Sequence, residues 1–101
     1  MRFGLEDKII KKINSVLSRY KTVHKAMIFG SRAKGDFKYN SDIDIAVYTN
    51  GESVTGLLHE LDEAAGIYKT DLIIMEQLNN EKLRQKIERD GIEIYGKQGD
   101  G

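Results

Sequence analysis

The stretch Ser41-Asp42-Ile43-Asp44-Ile45-Ala46-Val47-Tyr48 alternates residue by residue, a two-residue period that belongs to a strand and not to a helix. Ile43, Ile45 and Val47 form an apolar underside, while Asp42, Asp44, Ala46 and Tyr48 point the other way. An apolar underside has to be buried against another layer, so a chain with this segment must build a sheet with helices packed on it.

The rest of the pattern supplies those helices and further strands. Leu5, Ile9, Ile13, Val16, Leu17 and Tyr20 recur at three- and four-residue steps, which predicts an amphipathic helix over 5–20. Ala26-Met27-Ile28-Phe29, stopped by Gly30, reads as a short buried strand. Residues 31–40 carry no continuous apolar pattern and read as a loop with one helical turn. A helix over 54–65 closes near Gly66, a third strand spans 69–75, and Asn80 and Glu81 open a helix that stops at Asp90-Gly91. Ile92-Glu93-Ile94-Tyr95 then alternates like an edge strand. This order predicts an α/β chain of the α+β type, a mixed sheet of about four strands with helices packed on it. With 101 residues there is room for one domain, residues 1–96, followed by a flexible glycine-rich tail, 97–101.

Sixteen Lys and Arg balance sixteen Asp and Glu, a formal net charge of zero. Holding a nucleic-acid backbone needs a basic surplus, so direct nucleic-acid binding is not expected. The absence of cysteine excludes disulfides and thiolate metal sites and fits a reducing compartment. No apolar run approaches the ~18 residues of a membrane span, and Met1-Arg2-Phe3-Gly4-Leu5-Glu6-Asp7 lacks the apolar stretch of a signal peptide. The expectation is a cytoplasmic chain with no membrane partner.

Asp42 and Asp44 share a strand face about 6.5 Å apart along the chain. Neighbouring carboxylates repel unless a cation sits between them, and hard oxygen donors suit Mg²⁺ or Mn²⁺. Alone, Asp-x-Asp is more often a solvated strand face; its company shifts the reading. An EF-hand is excluded, because Ala46 and Val47 stand where a further oxygen ligand and the turn glycine belong. Gly30-Ser31 directly after a strand offers a close backbone approach, a hydroxyl and free N–H groups, the parts of a phosphate cradle. It is not a Walker A loop, since Lys34 is followed by Gly35-Asp36. Arg32 and Lys34 are placed to meet phosphate charge, with a solvated side chain as the plain alternative for each.

Activating a nucleophile beside a metal pair calls for a third acid and a base. Asp71, at the head of the otherwise apolar Asp71-Leu72-Ile73-Ile74, is the candidate. Asp36, Glu52 and Glu76 fall in loops or helix ends and read as surface charge. His24 and His59 have no partner at metal-ligand spacing, and Tyr48 is expected to pack.

Gly30-Ser31, ten residues, then Asp42-Ile43-Asp44 resembles the signature of the DNA polymerase β-like nucleotidyltransferase superfamily. From about Leu5 to Tyr95 the chain resembles its minimal nucleotidyltransferase (MNT) branch. The resemblance implies that fold and an enzyme in which Asp42, Asp44 and Asp71 are catalytic and hold Mg²⁺, two ions in all. It implies ATP as substrate, its triphosphate at Gly30, Ser31 and Arg32, and a hydroxyl attacking the α-phosphate as pyrophosphate leaves. Members of the branch act as antitoxins of HEPN-type toxin proteins, which they adenylylate, typically on tyrosine. A chain with little beyond the catalytic sheet cannot wall off a small substrate, which favours a protein that supplies both wall and hydroxyl. The alternatives are a small-molecule nucleotidyltransferase subunit of the antibiotic-modifying kind, and a non-catalytic binding module. Nucleotide preference, the acceptor residue and assembly, as a homodimer or with the toxin, stay open.

Overall fold

In the computed structural model, which describes residues 2–96, the elements run α1 (Asp7–Ser18), β1 (Val23–Phe29), α2 (Ser31–Lys34), β2 (Ile43–Thr49), α3 (Leu57–Ala65), β3 (Thr70–Ile74), a 3-10 turn (Met75–Gln77), α4 (Glu81–Asp90) and β4 (Ile92–Gly96). The tail expected over 97–101 lies outside the described residues. The alternating segment, β2, takes a central place in a four-stranded sheet ordered β3-β2-β1-β4. It runs antiparallel to β1 and parallel to β3, and β4 closes the far edge antiparallel to β1. A parallel pair cannot be joined by a hairpin, so the chain crosses between β2 and β3 through α3.

The main core lies on the underside of β2. Ile43, Ile45 and Val47 are fully buried there with Ile13 and Leu17 of α1 and Leu57 and Leu61 of α3. The opposite face is covered by a smaller cluster in which Ala46, Met75 and Ile87 are buried and Phe29, Tyr48, Ile73 and Leu83 pack against them. The upper face of β2 is therefore acidic only at its leading end. From Ala46 onward it is covered by the segment from Met75 to Ile87, most of which is α4.

Several boundaries depart from the sequence reading. β1 begins at Val23, which is fully buried and pairs with Thr49; exposed His24 interrupts the apolar run and hides that start. The third strand ends at Ile74, because the 3-10 turn carries Met75 into the smaller cluster. α3 begins at Leu57, after Gly56 at φ 89°. α4 is capped as expected, Asn80 Oδ1 accepting from Leu83 N–H at 3.0 Å. Gly91 stops it for a different reason from the usual left-handed turn: its backbone is extended, at φ −68° and ψ 152°. A Cβ there would lie 2.5 Å from the Ile87 carbonyl oxygen and 2.8 Å from Met27 Cε, so glycine permits the helix end to sit against β1. Among the described residues no helix is long and apolar enough to cross a membrane.

Candidate active site

Asp44 stands directly opposite Asp71 across the parallel β2–β3 pair, and opposite Phe29, the last residue of β1, on its other side. The chain leaves β1 through Gly30, at φ 75° and ψ −151°, a region that is essentially reserved for glycine. A side chain at that position would collide with Asp44 Oδ2. The step expected to cradle phosphate and the acid pair expected to hold metal are thus immediate neighbours. Ser31 opens the short α2, and Gly35 ends it at φ 91°, its N–H donating to the Ser31 carbonyl at 2.9 Å.

The carboxyl of Asp44 is pushed up to about 6. Burial is the first cause, followed by the charge of Asp71, a hydrogen bond shared with Asp71 and the charge of Asp42, all opposed by the Arg32 guanidinium. Two carboxyls sharing a proton are the response of like charges forced together. Asp42 is half-buried just ahead of the paired part of β2. Among the described residues no three His, Cys, Asp or Glu groups are gathered closely enough to hold a metal ion, so the structure pairs Asp44 with Asp71 and leaves Asp42 at their side. All three donors are carboxylate oxygens, which fits a hard divalent cation.

Arg32 is not where the sequence reading put it. Its side chain is 1 % exposed, and its guanidinium donates to the carbonyls of Ser41 (2.8 Å from Nη2, 3.2 Å from Nε), Tyr39 (3.2 Å) and Phe3 (2.9 Å). It also stacks on Tyr68 at 4.9 Å and Phe37 at 5.2 Å. A fork of donors committed to three backbone carbonyls and two rings is a fastener for the 36–42 loop. Its effect on the acids is through its field.

The cations that line a cleft with the Gly30-Ser31 step are lysines. A cleft of about 230 Å³ is lined by Gly30, Ser31 and Lys34 on one wall and Leu83, Lys86 and Ile87 of α4 on the other. Lys34 is the lysine that the sequence reading names; Lys86 is one it does not. The signal was present, because Leu83, Lys86, Ile87 and Asp90 follow the i, i+3, i+4, i+7 pattern of one helix face. Reading only Leu83 and Ile87 as that face overlooked the lysine between them.

The remaining residues divide plainly. Tyr48 packs in the smaller cluster with Lys25 Nζ 4.9 Å from its ring centre. His24 is exposed beside it, and His59 pairs with Glu63 at 3.4 Å on α3. Glu76 is more than surface charge: Oε1 accepts from Thr49 N–H at 3.0 Å and Thr49 Oγ1 at 3.1 Å, closing the end of β2. Asp36, also read as surface charge, lines the lysine cleft.

Residues 11–100 match the family model described as polymerase beta, nucleotidyltransferase. The chain is 32% identical over 92 residues to a candidate protein adenylyltransferase of Methanocaldococcus jannaschii, covering 87% of this chain and 92% of that protein. A second such candidate from the same organism is 30% identical over 92 residues, covering 85% and 91%. Among solved structures, a toxin–antitoxin crystal structure with AMP-PNP superposes with a TM-score of 0.75 at 27% identity, over 90% of this chain and 76% of that one. The fold is also that of a complex of the tri-AMPylated Shewanella oneidensis HEPN toxin with its MNT antitoxin, with a TM-score of 0.71 at 23% identity, over 95% and 76%. The family model covers most of the chain, and the chain belongs to the polymerase β nucleotidyltransferase family.

Proposed function

We propose that this chain transfers AMP from ATP to a hydroxyl of a HEPN-type partner protein, tyrosine being the expected acceptor, and that it acts as the partner's antitoxin. The observation that carries the reading is the Asp44–Asp71 register beside Gly30. The names of the similar proteins point to the protein acceptor and to the toxin–antitoxin pair. An ATP-consuming reaction fits a cytoplasmic location.

The positions support the following roles. Gly30 and Ser31 hold the phosphates, with the Ser31 hydroxyl as donor, and Lys34 and Lys86 neutralise the leaving pyrophosphate from the two walls of the cleft. Asp42, Asp44 and Asp71 would hold Mg²⁺, which supplies charge neutralisation on the phosphates and a lowered pKa for the attacking hydroxyl. Asp71 is exposed at the head of β3, so it is the acid an incoming hydroxyl can reach, and it takes the proton as the oxygen attacks the α-phosphorus. The P–O bond to pyrophosphate breaks as the new P–O bond forms.

The test is the intact mass of the partner protein after incubation with this chain, ATP and Mg²⁺. One AMP is added for each modified hydroxyl, and Asp42→Ala or Asp44→Ala abolishes the addition. An unmodified partner that is nevertheless inhibited would establish a purely steric binder, and transfer by the doubly substituted chain would remove the acids from the mechanism.

A further inference from the structure

The most exposed large apolar side chains in the described structure are Ile67, 92 % exposed, and Tyr39, 85 % exposed. They come from different loops, one following α3 and one preceding β2, yet both line a single groove of about 210 Å³ whose other walls include Tyr68, Lys69 and Asp42. The groove is well supported from beneath. Arg32 stacks on Tyr68 and binds the Tyr39 carbonyl, and Ile43 N–H donates to the Lys69 carbonyl at 2.8 Å, tying the two loops together. Exposed apolar groups held over this floor beside Asp42 bury little surface within the chain. Contact with another molecule is what they are suited to.

Three observations identify that molecule. The groove shares Asp42 with the acid cluster and shares no residue with the lysine cleft. It meets the acids where β2 and β3 begin, whereas the lysine cleft meets Asp44 from the β1 side. Phosphoryl transfer is roughly in line, so the attacking oxygen must enter by a different route from the departing pyrophosphate; the groove is that second route. The groove, of about 210 Å³, accommodates one large side chain. Its walls, two tyrosine rings and an isoleucine, suit an aromatic one.

We infer that the Tyr39–Ile67–Tyr68 groove is the docking site for the acceptor segment of the protein substrate, seating the aromatic residue whose hydroxyl is delivered to Asp71 and the α-phosphate. The inference rests on the AMP-transfer reading above and adds to it where the acceptor binds. Tyr39 and Ile67 act as positioning residues and take no part in the chemistry.

Ile67→Ser, Tyr39→Ser and the double variant are tested, all at exposed sites and all leaving the Tyr39 carbonyl available to Arg32. KM and kcat for AMP transfer to the HEPN-type partner are measured with labelled ATP, alongside ATP affinity by calorimetry and the melting temperature. Each substitution is expected to raise the KM for the partner about tenfold, the loss of one apolar contact of ordinary size, with kcat near saturation, ATP affinity and melting temperature unchanged. An unaltered KM for the partner in the double variant, with transfer still observed, overturns the docking site alone. Failure of the unsubstituted chain to label the partner overturns the AMP-transfer reading and the docking site with it.

Discussion

Replacing Asp44 with asparagine should make the metal-free chain more stable at neutral pH while abolishing its activity. The Asp44 carboxyl is raised from 3.8 to about 6 in the folded state, so between those values the native chain holds a proton that the unfolded chain has lost. Stability from this group therefore falls as pH rises from about 4 to 6 and stays low above it. At about 1.4 kcal/mol for each pH unit, the full effect is at most about 3 kcal/mol. Asp44 is only half-buried, and solvent screening brings the expected figure to about 1 kcal/mol. Asparagine keeps the shape, carries no charge and can donate an N–H to Asp71 at neutral pH, where the Asp44 carboxyl has lost its proton.

The assay is urea denaturation of both chains from pH 4 to 8 in EDTA. The difference between them isolates Asp44 from carboxylates such as Asp62, held below the usual range by Thr70, whose contribution has the opposite sign and cancels. The expected difference is near zero at pH 4 and grows to about 1 kcal/mol in favour of asparagine by pH 7. Magnesium should shrink or reverse it, because only the native aspartate gains from the cation. A difference that is independent of pH, or that favours aspartate in EDTA at pH 7, refutes the picture of crowded, uncompensated carboxyls.

Gly30→Ala should lower stability by about 1–3 kcal/mol, the cost of that backbone region for a non-glycine residue, and abolish AMP transfer by displacing Asp44; unchanged urea midpoint and transfer would show that the collision relaxes freely. Arg32→Lys keeps the charge and loses the fork, so a loss of about 2–3 kcal/mol in denaturation is expected from carbonyls left unpaired, with little change in KM for ATP. A tenfold rise in that KM at full stability would return Arg32 to the phosphate. Lys86→Met preserves the apolar stem on α4 and removes the cation, and the KM for ATP should rise about tenfold; an unaltered value excludes Lys86 from the nucleotide cleft.

The acid motif and the layer order were legible because they depend on short-range periods. The two-residue alternation of 41–48 put Ile43, Ile45 and Val47 inside, as found, and the i to i+4 spacing of Ile9, Ile13 and Leu17 wrote α1. Asp71 was legible for a related reason, a charge heading an apolar strand. Its pairing with Asp44 was not, because register between two parallel strands is set by the crossover and the packing of α3, not by either strand alone. Arg32 shows the limit most clearly. Set between Ser31 and Ala33 in a segment with no continuous apolar pattern, it gives no local hint of burial, and its partners at Phe3, Tyr39, Ser41 and Tyr68 are brought together only by the finished fold. The groove formed by Tyr39 and Ile67 was hidden in the same way, since its two walls lie in loops separated by the whole of β2 and α3.

These hidden features share a cause. The proposed AMP transfer requires three carboxylates within reach of each other, an arrangement that the fold by itself resists, as the raised Asp44 shows. The acids are therefore placed where the sheet is held from elsewhere: the main core clamps the underside of β2 at Ile43 and Ile45, on either side of Asp44. Arg32 pins the loop that carries Asp42, and Gly30 yields the space that Asp44 occupies. Each is chosen for its effect on a neighbour distant in sequence or on the far face of the strand. Removing any one should loosen the acid cluster before it unfolds the chain, so metal affinity ought to fall in partly destabilised variants such as Arg32→Lys under conditions where circular dichroism still reports a folded sheet.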